Sequence, residues 1–178
     1  MAAELALGLG GSHRDERTTV EWWTPPHVFD ALGLRFDLDP CAPPLPAASW
    51  IPAARRYSVA DDGLAQPWTG RVWLNPPYGR EAGRWVDRLA DHGDGVALVF
   101  ARTCARWAHR AMRRADLVCM VAGRLRFIDG RTGEPPDNAA APSMLLAYGP
   151  ECARAVAASR LGLALAPAPT EGEKHGDR

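Results

Sequence analysis

Short apolar runs rich in Val, Leu and Phe alternate along this chain with segments whose apolar residues recur at helical spacing. Such alternation is expected when helices cover a largely parallel sheet, and it sets the class as α/β. Thr24 can cap a helix that runs to Leu32, with Pro25 and Pro26 in a first turn where a missing N–H costs little, and with Gly33 to end it. Arg35 to Asp39 comes next as a strand, and the proline-rich stretch through Pro52 reads as loop. Val72 to Asn75, Val96 to Ala101 and Leu117 to Ala122 read as strands, with helices over Glu81 to Asp91 and Thr103 to Ala115. Arg124 to Asp129 and Ser143 to Tyr148 are expected as an antiparallel C-terminal hairpin joined by a Gly/Pro loop from Gly130 to Pro142. Glu151 to Ser159 is the last expected helix, and no internal repeat is found.

The 178 residues suffice for one domain, expected over 21–165, with flexible segments at 1–20 and 166–178 where no periodicity is found. The 21 basic and 21 acidic side chains cancel, so any surface for a polyanion must be a local patch. With no apolar run of about 18 residues, the expectation is a soluble, cytoplasmic protein without membrane contact. Cys41, Cys104, Cys119 and Cys152 are widely spaced, which argues for reduced thiols and against a metal site or a disulfide framework.

Asn75-Pro76-Pro77-Tyr78 falls where a strand ends, at the sheet edge where ligands gather in α/β folds. The prolines fix the direction of their carbonyls, so an Asn oxygen and a proline carbonyl can both accept hydrogen bonds from one amino group. That pull concentrates lone-pair density on its nitrogen. Tyr78 can stack on a base drawn out of a duplex. The same tetrapeptide also makes an ordinary surface turn before a helix, and the two readings stay open on these residues alone. Upstream, Asp37 and Asp39 alternate at a strand end, so one of them can face a ligand, with a cationic amino group or a ribose as suitable partners.

Several further segments appear in order: Trp22-Trp23-Thr24-Pro25-Pro26, Phe36-Asp37-Leu38-Asp39-Pro40-Cys41-Ala42, and Asp61-Asp62-Gly63-Leu64 with Trp68. Val72-Trp73-Leu74-Asn75-Pro76-Pro77-Tyr78-Gly79, Arg102-Thr103 with Trp107, and Gly123-Arg124-Leu125-Arg126-Phe127 complete the set. From about Glu21 to Gly149 the sequence resembles the phage-type DNA N6-adenine methyltransferases. The resemblance implies a reduced Rossmann-like methyltransferase fold, a mostly parallel sheet, S-adenosylmethionine as cofactor and DNA as partner. By the same resemblance Asn75, Pro76, Pro77 and Tyr78 are catalytic, and Thr24, Pro25, Asp37, Asp39, Pro40 and Asp61 or Asp62 hold the cofactor. The Gly-x-Gly loop found after the first strand of many methyltransferases is replaced here by Ala42-Pro43-Pro44.

Arginines cluster locally at Arg102, Arg106, Arg110, Arg113 and Arg114 and again at Arg124, Arg126 and Arg131. Such clustering suits phosphate contacts, and it equally suits a solvated helix face. Arg102, Arg106, Arg124 and Arg126 are the expected DNA contacts, with Phe127 as a second ring that could sandwich a flipped base opposite Tyr78. His27 and His109 are expected to cover helix surfaces, and Trp107 to join the core. The same tetrapeptide could instead serve an RNA base or a protein glutamine, or persist in a catalytically silent DNA-binding module.

Overall fold

The computed structural model describes residues 22–79, 81–130, 132–135 and 142–168. The expected flexible start, most of the expected tail, Arg131 and much of the expected 130–142 loop lie outside the described residues. In chain order the elements are β1 (Trp22–Trp23), α1 (Pro26–Leu32), β2 (Phe36–Asp39), β3 (Ala53–Arg56), a 3₁₀ turn (Val59–Asp61), β4 (Val72–Leu74) and α2 (Ala82–His92). They continue with β5 (Gly95–Phe100), α3 (Arg106–Arg114), β6 (Leu117–Val121), β7 (Ile128–Asp129), β8 (Ser143–Tyr148), α4 (Pro150–Ala158) and β9 (Gly162–Leu165).

Seven strands form one mixed sheet in the order β3-β2-β4-β5-β8-β6-β9. β2 pairs parallel with both β3 and β4, and β4 pairs parallel with β5. β8 then lies antiparallel between β5 and β6, and β9 closes the far edge antiparallel to β6. The sheet is covered on both faces because its strands alternate between two apolar sets. Trp73, Val96, Leu98, Leu145 and Ala147 pack with Val28 and Phe29 of α1 and Cys152 and Val156 of α4. Val72, Leu74, Ala97, Val99, Met144 and Leu146 pack with Trp85, Val86 and Leu89 of α2 and Ala108 and Ala111 of α3. Arg110 and Arg114 of α3 pair with Asp87 and Asp91 of α2, so two of the clustered arginines are tied to the neighbouring helix.

Two local expectations are corrected. Pro25, not Thr24, occupies the cap position of α1, and no side chain caps that helix, whereas Gly33 ends it in the left-handed conformation as its sequence suggests. Arg124–Asp129 is not the hairpin partner of Ser143–Tyr148. Only Ile128 and Asp129 are strand, and they pair with Trp23 and Trp22 in a separate two-stranded ladder, β1 with β7. β8, buried at every residue, inserts into the middle of the sheet instead. Strands β3 and β9 carry weak signals, since Ala53–Arg56 holds two arginines and both strands sit at sheet edges.

No described helix is long and apolar enough to cross a membrane. The central position of β8 sets the first expected outcome. Leu146 is fully buried, so Leu146→Ala should lower unfolding free energy by about 2–5 kcal/mol. Leu163 on β9 is 63% exposed, and Leu163→Ala should stay within about 0.5 kcal/mol of the parent in denaturant titration.

Candidate active site

β2 leads to β3 on one side while its other neighbour, β4, leads away to β5, so the chain leaves β2 and β4 in opposite directions at their carboxyl ends. A parallel sheet opens a crevice at such a point. A cleft of about 730 Å³ lies there. Its walls carry Asp39, Pro40, Cys41, Ala42 and Pro43 from the end of β2, and Asn75, Pro76, Pro77 and Tyr78 from the end of β4. Trp22, Trp23, Ile51, Ser58, Val59, Asp62, Gly63 and Trp85 complete it.

Asp39 is 2% exposed. One carboxylate oxygen accepts the Cys41 N–H at 3.0 Å. Burial drives its pKa up to about 7, although the Cys41 N–H and the positive charge of Arg56 both act to lower it. The Arg56 guanidinium is itself committed to the proline-rich loop, donating to the carbonyls of Ala48 at 2.8 Å and Ile51 at 3.0 Å. In this way a segment without helix or ladder is held against the cleft. Gly63 lets the segment after the 3₁₀ turn pass close to the end of β2. A Cβ there would lie 2.0 Å from the Pro40 carbonyl oxygen, so no larger residue fits without moving the loop.

Asn75 is anchored at both ends of its amide. Nδ2 donates to the Trp22 carbonyl at 2.6 Å, and Oδ1 accepts from the Tyr78 hydroxyl at 2.8 Å. The Tyr78 ring stacks on Phe100, with centroids 3.9 Å apart and planes 15° from parallel. Phe127 meets both rings edge-on, 6.0 Å from Tyr78 and 6.1 Å from Phe100. Near-equal distances to both members of a stack place Phe127 beside it, and its side chain is fully buried. Phe127 therefore does not stand across an open gap from Tyr78, as a sandwich would require.

The other expected site residues divide. Asp37 is exposed and lies outside the cleft, where it accepts the Arg71 N–H at 2.7 Å and packs over Gly70. Alternation along β2 thus assigns the cleft to Asp39. Asp61 is also outside, closing the 3₁₀ turn by accepting from the Ser58 N–H at 2.7 Å and hydroxyl at 2.8 Å, bonds that hold its pKa low. Asp62 lines the cleft in its place. Thr24 is fully buried off the cleft wall, and its hydroxyl has no hydrogen-bond partner among the described residues. Pro25 borders a separate groove of about 480 Å³ with His27, Arg124 and Arg126. Arg102 is exposed just beyond Phe100, and Arg106 is exposed at the start of α3. Residue patterns alone assign no role to the Trp22 carbonyl, Gly63 or Phe100, whose contributions depend on contacts across the fold.

The Asp39 environment has a stability signature. Its folded pKa, about 7, lies above the ordinary 3.8, so its contribution is full below about pH 4 and is lost as pH rises through 7. Asp39→Asn keeps an acceptor for Cys41 and cannot ionise. In thermal unfolding without ligand, the variant should melt above the parent at pH 8, with a gain that shrinks toward pH 5. Equal melting at pH 8 would show that burial does not oppose ionisation.

The sequence model of the family described as DNA N-6-adenine-methyltransferase (Dam) matches residues 11–160. Among curated proteins, the DNA N-6-adenine-methyltransferase of Haemophilus phage HP1 (strain HP1c1) is 27% identical over 138 residues, covering 73% of this chain and 76% of the phage protein. No solved structure matches the chain significantly. With the family match spanning most of its length, this chain belongs to the DNA N-6-adenine-methyltransferase family.

Proposed function

We propose that the cleft between the ends of β2 and β4 binds S-adenosylmethionine and receives a flipped adenine against Asn75, Pro76 and Tyr78, within a reduced Rossmann-like methyltransferase fold. The observation that carries this reading is the joint presence of Asp39 and the Asn75–Tyr78 tetrapeptide on the walls of one cleft. The residues fit the cofactor. A buried carboxylate whose proton leaves near neutrality gains most from a cationic amino group, which offsets its desolvation. Trp22, Trp23, Ile51, Val59 and Trp85 supply the apolar walls that a nucleoside requires. Thr24, with its unpartnered buried hydroxyl behind this wall, supports the cofactor pocket.

When bound, the cofactor supplies a methyl group on a sulfonium, ready for direct displacement. Asn75 Oδ1 and the Pro76 carbonyl accept the two N–H bonds of the adenine N6 amine, and these bonds strengthen as positive charge grows on nitrogen. Each proline ring locks its own φ, which limits the directions both carbonyls can take. Tyr78, backed by Phe100, offers its ring to the base, and Phe127 steadies the stack from its side. Arg102, Arg106, Arg124 and Arg126 are all exposed and contact DNA phosphates.

Two substitutions separate the halves of the site. Asn75→Ala should lower transfer of tritiated methyl groups to DNA by at least about 100-fold while cofactor affinity stays within a few-fold. Asp39→Ala should weaken cofactor binding in calorimetry by about 1.5–3 kcal/mol, the worth of a charge-assisted hydrogen bond. Normal turnover in the first variant would remove Asn75 from the chemistry, and unchanged affinity in the second would move the cofactor away from Asp39.

A further inference from the structure

Asn75 is the only proposed catalytic side chain whose amide must point one way, and the fold contains a device that decides the direction. A main-chain carbonyl can only accept a hydrogen bond, so the Trp22 oxygen, 2.6 Å from Nδ2, selects the NH₂ end of the amide. The oxygen end is thereby left toward Tyr78, whose hydroxyl reaches it at 2.8 Å and leaves a second lone pair for another donor. The carbonyl belongs to a paired strand: Trp22 pairs with Asp129 and Trp23 with Ile128 in the β1–β7 ladder. Phe127, the residue before that ladder's second strand, packs fully buried beside Tyr78 and Phe100. One small ladder, separate from the seven-stranded sheet, thus reaches both Asn75 and Tyr78.

Asparagine and aspartate have nearly the same shape, yet they differ sharply at such a position. An ionised carboxylate would set a second acceptor against the Trp22 oxygen, with no proton between them. We propose that the Trp22 carbonyl, presented by the β1–β7 ladder, is a positioning group for Asn75: it fixes the amide oxygen toward the target amine and makes an amide, not a carboxylate, the side chain this site requires. The proposal rests on Asn75 being the acceptor for that amine.

The test is Asn75→Asp (N75D), with Asn75→Ala and the parent beside it, in single-turnover methyl transfer to DNA from pH 5.5 to 8.5. The titratable groups that face Asn75 are Asp39, Cys41, Asp62 and Tyr78 on the walls of the same cleft and Asp129, which pairs with Trp22 in the ladder. Burial holds Cys41 and Tyr78 neutral over this range. Asp39 titrates within it, and saturating cofactor with the parent as reference removes that contribution. At pH 8 N75D should be slower than the parent by at least about 100-fold, with cofactor affinity within about threefold. Its rate relative to the parent should climb as pH falls, because a protonated carboxyl donates to Trp22 and leaves its other oxygen to accept the amine. N75D within about threefold of the parent at pH 8, or a ratio that does not change with pH, would overturn the proposal. Full activity in Asn75→Ala would instead remove the reading of Asn75 itself. A second measurement needs no substitution: in nitrogen-resolved spectra of the parent, one Asn75 side-chain amide proton should exchange far more slowly than those of an exposed asparagine. Equal exchange would also overturn the proposal.

Discussion

The parallel pairing of Phe36–Asp39 with Val72–Leu74 is the constraint on which the rest of the site depends. Leu38 aligns with Val72, so both strands end at the same edge of the sheet. The segments that leave the two strands then meet in one cleft: Asp39 to Pro43 from the first, and Asn75 to Tyr78 from the second. Neither segment needs regular structure of its own, because the strands beneath them are held by apolar layers on both faces. A buried acid and a rigid amide are thereby brought to one volume from chain positions far apart.

Holding those groups ready has costs that the fold meets locally. Asp39 is kept out of water with one N–H donor and a guanidinium charge that do not fully compensate its burial. The loop after it, rich in proline, is fastened by Arg56 and seated on Gly63. Asn75 and Tyr78 are tied to each other and to a two-stranded ladder. Desolvation of this kind gathers at working sites, where a ligand relieves it.

The sequence announces the sheet interior well and its edges poorly. Val96–Phe100 and Leu117–Val121 are continuous apolar runs, and each appears as a strand within a residue or two of the expected bounds. Ser143–Tyr148 is equally clear as a strand, but nothing in its own residues says that it inserts between β5 and β6, since pairing choice is set by the whole sheet. Ala53–Arg56 alternates too little to be seen. For the site, the alternate spacing of Asp37 and Asp39 does not say which of them faces the cleft, and the fold places Asp39 on the cleft wall. Asp61 and Asp62 are adjacent and alike in sequence, and only the 3₁₀ turn separates a capping role from a cleft role. The Trp22 carbonyl carries no side-chain signal at all, so its contact with Asn75 is invisible before folding.

Whether one cleft holds the cofactor beside Asn75 is decided by a crystal structure of the chain with S-adenosylhomocysteine. The ligand's amino group is expected within hydrogen-bond distance of the Asp39 carboxylate, its nucleoside against the apolar wall of Trp22, Val59 and Trp85, and its sulfur facing Asn75 and Pro76. A ligand seated in the groove beside Pro25 and Arg124, or one in the cleft that leaves Asp39 without a partner, would contradict that arrangement.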